Sequence, residues 1–476
     1  MRLIYLASKN FWLLLIPLVR GLIALRWDFY AWAEGAWLDI LTLLLIGGMA
    51  WLRWHCSWYA FSGKALHIKN GVFLKKEFSV PFSSVCAMSA ERRFFFRPLR
   101  TVNLYLDTNS GTRRKADVQI TVYRKDCEVL FKLMRKPLSA EKLRASYRPS
   151  MLNLALFSFL FSSTLSGVVL IATLLIESSR IIGNSLLQET LLVAVNDVAR
   201  ILALRLPPLA VGISLLIAAG WLISFFNSLL RHVGFKIRRN GKVIDIQTGY
   251  FTRRRYYIHA DKINYADLRQ NLMTKLFSIM SVYVNCSGYG KAKNEIPVFV
   301  PLTTSNQVYG SLKLLLPSLA VPSGGRLRPQ WNNLFRFIGM PLIGAGLIPL
   351  AARALFSIFP LWHTMILFAA IMSEIPLIWL ITVKFVDFFT TGVSLTDKTL
   401  CIKYASGYAF HTILIPQNKI TKIIVRQNIF QRLSKSCDLL IYSSNEFAKP
   451  HRALSLPIHA AYDFLQSTEQ IFTNPF

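Results

Sequence analysis

Six apolar stretches alternate with segments in which apolar and polar residues follow a period of two. The stretches cover about 11–25, 36–54, 151–176, 201–226, 334–357 and 361–383, and they fall in pairs. A helix that crosses a hydrocarbon core needs about 17–25 apolar residues. The pattern therefore predicts six transmembrane helices in three hairpins. The first stretch is short and holds Pro17 and Arg20. An interfacial helix is the other reading of it.

The segments after each pair read as strands. Leu66-His67-Ile68-Lys69, Val102-Asn103-Leu104-Tyr105-Leu106 and Leu400-Cys401-Ile402-Lys403-Tyr404 alternate strictly. Lys69-Asn70-Gly71, Asn109-Ser110-Gly111, Arg239-Asn240-Gly241 and Ser287-Gly288 punctuate such runs as turns. The second segment closes with Val298-Phe299-Val300-Pro301, and Thr303 to Asn306 offers an N-cap for a helix to about Leu316. In the third, Leu454 to Pro457 precedes a helix through Phe464, Leu465 and Ile471. The expected division is 1–54, 151–227 and 333–384 for the hairpins, with β-rich domains at 55–150, 228–332 and 385–476.

Charge orients this arrangement. The chain is 53% hydrophobic with a mean hydropathy of +0.40, yet its net charge is +31. The first β block holds 19 Lys+Arg against 7 Asp+Glu over 55–150, and the second 16 against 4 over 228–332. The third holds 10 against 6 over 384–476. The connections inside the pairs are poor in basic residues: 27–36 carries Asp28 and Glu34 with no Lys or Arg. Positive residues stay on the cytoplasmic side. The expectation is a multi-pass protein of the bacterial cytoplasmic membrane with both termini and all three domains cytoplasmic. Trp12, Trp27, Trp32, Trp37, Trp51, Trp54 and Trp58 fit an aromatic belt around the first hairpin. Met1-Arg2-Leu3 runs into apolar sequence without a small-residue cleavage site, so an uncleaved first helix is expected.

Catalytic patterns are lacking in the sequence. The eight histidines are scattered, and no zinc-protease or nucleophile-elbow motif occurs. Gly288-Tyr289-Gly290-Lys291 lacks phosphate-loop spacing and reads as a turn. The six cysteines form no metal-binding pattern and read as small buried hydrophobes. Neither an enzymatic activity, nor a cofactor or metal, nor nucleic-acid binding is expected.

The three β blocks repeat a common order. Gly71, Gly249 and Gly407 each end a strand and suit a turn with positive φ. A second strand then closes at Val80-Pro81, Ile258-His259 or Ile415-Pro416, and four residues later stands Val85, Ile263 or Ile420. Beyond it the second and third blocks share Arg269-Gln270-Asn271 and Arg426-Gln427-Asn428, followed at one offset by Leu276 and Leu433. The first block carries Glu91-Arg92-Arg93 instead. This order resembles bacterial pleckstrin-homology-like proteins of the YdbS/YdbT type, and the resemblance covers nearly the whole chain. It implies an α+β membrane protein. Each hairpin would precede a strongly bent antiparallel sheet or barrel of PH-like fold with a C-terminal helix. It implies no known ligand.

The candidate contacts are Arg253, Arg254, Arg255, Arg269, Gln270, Asn271, Arg426, Gln427 and Asn428. Arg253-Arg254-Arg255-Tyr256-Tyr257 is the densest basic and aromatic run. In a domain tied to a bilayer, anionic lipid headgroups are its nearest partner; a solvated strand is the alternative. The two Arg-Gln-Asn stretches are repeated contacts or, since Asn favours turns, structural corners. Glu374, two residues before Pro376, is ionisable inside the sixth stretch and marks a functional candidate unless it pairs with a neighbour such as Arg336 or Arg353. The expected function is non-enzymatic: a membrane-anchored binding or scaffolding protein. Its three domains would face lipid headgroups, one another, or another membrane protein of the same type. The rival is a six-helix transporter or channel regulated by the domains. Its spans would carry few polar residues, which disfavours a conduction path.

Overall fold

The structure, a computed structural model, describes residues 29–161, 208–286 and 298–473, except 63, 73, 93, 95–96, 99, 109–116, 135–143, 320–325, 397–398 and 445–449. The first apolar stretch with Trp12, Pro17, Arg20 and Trp27 lies outside these residues. So do 162–176, the turns at 109–111 and 287–291, and Arg93.

The chain forms two compact units. The first begins with helix α1 (Phe29–His55). The sequence places its start near residue 36, but Ala31, Ala33 and Glu34 are strong helix formers and no proline interrupts them, so the helix begins earlier. Strands β1 (Trp58–Phe61), β2 (Ala65–Asn70) and β3 (Lys76–Pro81) form an antiparallel sheet. A 3-10 turn at Phe82–Ser84 leads to β4 (Val85–Arg92), β5 (Thr101–Thr108) and β6 (Val118–Tyr123), then to helix α2 (Arg124–Met134). Leu66, Ile68, Met88, Leu104, Leu106 and Leu130 pack as one core between sheets and helix.

Unit two starts after residue 144, near β7 (Arg144–Tyr147), and includes α3 (Met151–Phe161), α4 (Pro208–His232) and all but the last residue of β8 (Lys236–Asn240). Pro208 opens α4, as proline does at a first helical position. The following strands, β9 (Val243–Thr248) and β10 (Arg253–His259), belong to the first unit, where β10 pairs with β4 and the order is β6-β5-β4-β10-β9.

The chain then returns to the second unit. A 3-10 turn at Ala260–Lys262 leads to β11 (Ile263–Asn271), α5 (Leu272–Leu276), β12 (Ile279–Cys286), β13 (Val298–Thr304) and α6 (Ser305–Leu315). Helix α7 (Leu334–Ile358), a turn at Pro360–Trp362 and helix α8 (His363–Thr390) make an apolar hairpin. The third repeat continues as β14 (Gly392–Leu395), β15 (Thr399–Ser406), β16 (Ala409–Pro416), β17 (Ile420–Arg426), α9 (Ile429–Leu433), β18 (Ser436–Ser443), β19 (His451–Pro457) and α10 (Ile458–Thr473). One sheet has the order β13-β12-β11-β16-β15-β14 and another β17-β18-β19. Val393, Leu400, Ile402, Ile413, Leu439 and Leu456 form the core of this end.

The compact units do not follow the repeats. The second repeat is divided at Ala260, because each of its two strand groups pairs with a neighbouring repeat rather than only with itself. Among the described residues three helical segments are long and apolar enough to cross a membrane: Ser214–His232, Trp331–Ile358 and Pro360–Thr390. Helix α8 runs seven residues beyond the expected end at 383. Asp387 holds that extension, accepting hydrogen bonds from Thr391 Oγ1 and Ala405 N, both at 2.7 Å. At the start of α7, Arg336 donates to Asp438 at 2.9 and 2.6 Å and to Ser455 at 3.2 Å.

Candidate functional site

The shared Arg-Gln-Asn stretch forms a corner between the fourth and fifth strands of the second and third repeats. Asn271 and Asn428 occupy equivalent N-cap positions of α5 and α9. Each makes a reciprocal capping box, with Thr274 or Gln431 bonding back to its backbone N–H at 2.6 or 2.8 Å. Gln270 Nε2 donates to Ile279 O at 2.9 Å, and Gln427 Nε2 to the equivalent Ser436 O at 3.0 Å. The amides therefore build the corner rather than present themselves to a ligand. Asn271 Nδ2 also donates to Leu160 O of the apolar helix α3 at 3.0 Å, which ties this corner to that helix.

The corner recurs in the first repeat although its sequence differs. Arg100, Ser278 and Lys435 each stand fifteen residues after Val85, Ile263 and Ile420, and each has positive φ, at 51°, 53° and 47°. Non-glycine residues adopt this region at an energetic cost. A common hydrogen bond goes with it. The carbonyls of Arg100, Ser278 and Lys435 accept from Arg124 N, Ser305 N and Ile458 N at 3.0, 3.0 and 3.1 Å. Those are the first residues of the three closing helices, so the strained residue satisfies an otherwise orphaned N–H.

Apolar side chains crowd the outside of the corners. Leu276 is 77% exposed, Phe277 65% and Met273 43%; Phe430 and Leu433 are each 83% exposed and Ile429 77%. Phe94 is half exposed at the matching position of the first repeat. A cation stands at one shared place: Arg97, Lys275 and Arg432, twelve residues after the strand start. Arg97 donates to Tyr250 O and lies over the Phe94 ring, 5.1 Å from its centroid. Lys275 Nζ lies 4.0 Å from the centroid of Phe410. Burial pushes the Lys275 ammonium down to about 8, with Lys403 and Arg326 adding to the fall and Asp387 opposing it. Arg432 is exposed. The repeated fifteen-residue spacing was available in the sequence, but the cation varies between Arg and Lys and the apolar residues shift by one place, so no motif stood out.

The arginine candidates divide. Arg255 is committed inward: Nε and Nη2 donate to Asp245 at 3.0 and 2.9 Å, and the guanidinium lies over Phe131 and Tyr257. Arg254 stands opposite Glu91 on β4 and is half-buried; Arg253 is exposed, opposite Arg92. Arg269 donates to Asp267 at 2.6 Å and lies 4.2 Å from the Tyr283 centroid. Arg426, at the equivalent position of the third repeat, is exposed. Glu374 is half-buried within α8. Among the described residues no cluster of His, Cys, Asp and Glu could hold a metal ion.

Paired antiparallel strand groups, a 3-10 link between them and a closing C-terminal helix, three times over, define PH-like binding domains. The chain belongs to the family described as Bacterial PH domain, which it matches over 12–148, 191–313 and 342–464. Each matched stretch reaches back into the apolar segment ahead of its strands. No curated protein matches the chain.

Proposed function

We propose that the protein is a non-enzymatic, membrane-anchored binding and scaffolding protein. Its three bacterial PH domains lie on the cytoplasmic side of a multi-pass anchor in the cytoplasmic membrane, with both termini cytoplasmic. The corners of the domains press into the headgroup region of the adjoining leaflet. The observation that carries this reading is α9, whose exposed Ile429, Phe430 and Leu433 flank the exposed Arg432, together with α5 and the Phe277 that follows it, where Met273, Leu276 and Phe277 are exposed and Asn271 donates to Leu160 of an apolar helix. Large apolar residues beside a cation suit the bilayer interface, where the ring or alkyl group enters the acyl boundary and the charge meets phosphate. The net +12 of each of the first two blocks favours an anionic leaflet.

The full chain tests this after reconstitution into nanodiscs. A solvatochromic label at Leu276→Cys or Leu433→Cys should be quenched by spin-labelled lipid and shift to the blue. A label at Lys242→Cys, in the turn before β9, should do neither. Equal behaviour at all three positions would overturn the proposal.

A further inference from the structure

The two junctions between repeats obey one rule. A residue n places before the anchor His259 or Pro416 pairs with the residue n + 1 places after Val85 or Ile263: Ile258 with Ala87, and Leu414 with Ala266. Each time, the third strand of a repeat adds antiparallel to the fourth strand of the repeat before it. The third repeat also has a fourth strand, β17. Among the described residues β17 pairs with β18 alone and is the end of its sheet. The covering strands matter for burial. Met88, Ala90, Ala266 and Leu268 are buried, whereas the equivalent Ile423 and Val425 of β17 are only half-buried.

We propose that β17 is a docking edge for the third strand of a PH-like domain on a different protein, and that Arg426 selects a strand with an acidic residue opposite it. The internal junctions supply the reason. At the position of Arg426 the first carries Glu91, facing Arg254. The second carries Arg269, facing His411, with Asp267 bonded to both. Each junction thus joins a base to an acid. On β17 the place of Asp267 is taken by Ile424, so the host strand offers no acid of its own, and the incoming strand must bring it. A second copy does not satisfy this. The shared register would place Lys76 of its β3 (Lys76–Pro81) opposite Arg426, and like charges directly opposed destabilise a strand pair. The occupant is therefore an extended apolar segment with one carboxylate, added edge to edge.

Two peptides copying Ala409–Pro416, one with His411→Glu and one with His411→Lys, serve as probes for the detergent-solubilised full chain. Fluorescence anisotropy should show the Glu peptide binding about five-fold more tightly than the Lys peptide, the difference falling as salt rises. Arg426→Glu, at an exposed position, should invert the preference. Failure of both peptides to bind would overturn the proposal and leave Lys422 and Arg426 as guards of an open edge. Binding without inversion would overturn the role of Arg426. Cysteines at Lys422 and Val80, opposite each other in the shared register, test the second copy. Disulfide-linked dimers of the double variant in membranes would overturn the requirement for a different partner.

Discussion

Asp267 is the charge on which the junction of the second and third repeats rests, and Asp267→Asn isolates it. The carboxylate is 5% exposed, accepts from Arg269 Nε at 2.6 Å, and accepts from His411 Nδ1 at 3.0 Å. Asparagine keeps the shape but removes the charge and turns an N–H2 toward donors. Breaking one side of a buried pair costs about 3–5 kcal/mol. Arg269 keeps a side-chain exposure of 29% and its contact with Tyr283, which compensate part of the loss. The expected cost is therefore at the lower end, about 3 kcal/mol. At 1.4 kcal/mol per factor of ten, that is an acceleration of amide exchange of about 100-fold in β11 and β16, read by hydrogen exchange on the full chain. The double variant Asp267→Asn/Arg269→Gln should cost less than the sum of the singles. Burial would raise the Asp267 carboxyl, but the His411 hydrogen bond and the Arg269 charge outweigh it and hold it below the usual range. Its contribution is thus complete above the ordinary carboxylate range and is lost as pH falls through the lowered value. The difference between native protein and variant should stay constant at neutral pH and shrink only in strong acid. An exchange increase under about five-fold, or strictly additive singles, would refute the reasoning.

Three further outcomes are expected. His451 is buried and its Nδ1 is hydrogen-bonded to the Tyr404 hydroxyl at 3.2 Å; burial pushes its value down to about 4 from 6.5. Because the unfolded ring binds its proton first, stability should fall between about pH 6.5 and 4, by up to about 3 kcal/mol, and His451→Phe should flatten that limb in a thermal-shift series. A Cβ at Gly71 would lie 1.8 Å from Leu74 O at φ +130°, whereas Gly407, at φ +59°, has open space around it. Gly71→Ala should therefore cost about 2–3 kcal/mol and Gly407→Ala about 1, and equal melting shifts would contradict this. A reporter active only in the cytoplasm should be active when attached after Lys136, Leu316 or Phe476; silence at any of them would refute the proposed topology.

Much of the local structure follows from residues close together in the chain. The apolar runs become α7 and α8, the glycines at 71, 249 and 407 take positive φ, and β4, β11 and β17 begin at Val85, Ile263 and Ile420, where the repeat places them. Period, turn chemistry and capping are short-range properties, so one sequence carries them. The tertiary structure decided which strands are neighbours. Ladder hydrogen bonds are made by backbone groups that look alike in every strand, and nothing local told β10 to join β4 or β16 to join β11. That choice divided the arginine run: Arg253 stays exposed, Arg254 faces β4, and Arg255 turns inward. Arg255 meets an Asp245 only ten residues away, but Arg254 meets Glu91 from another repeat, and His411 meets an Asp267 144 residues distant. It also left the corners outside, where Leu276 and Leu433 are exposed rather than buried as apolar residues usually are. Sequence periodicity says which face of an element is apolar; only the packed chain decides what, if anything, covers it.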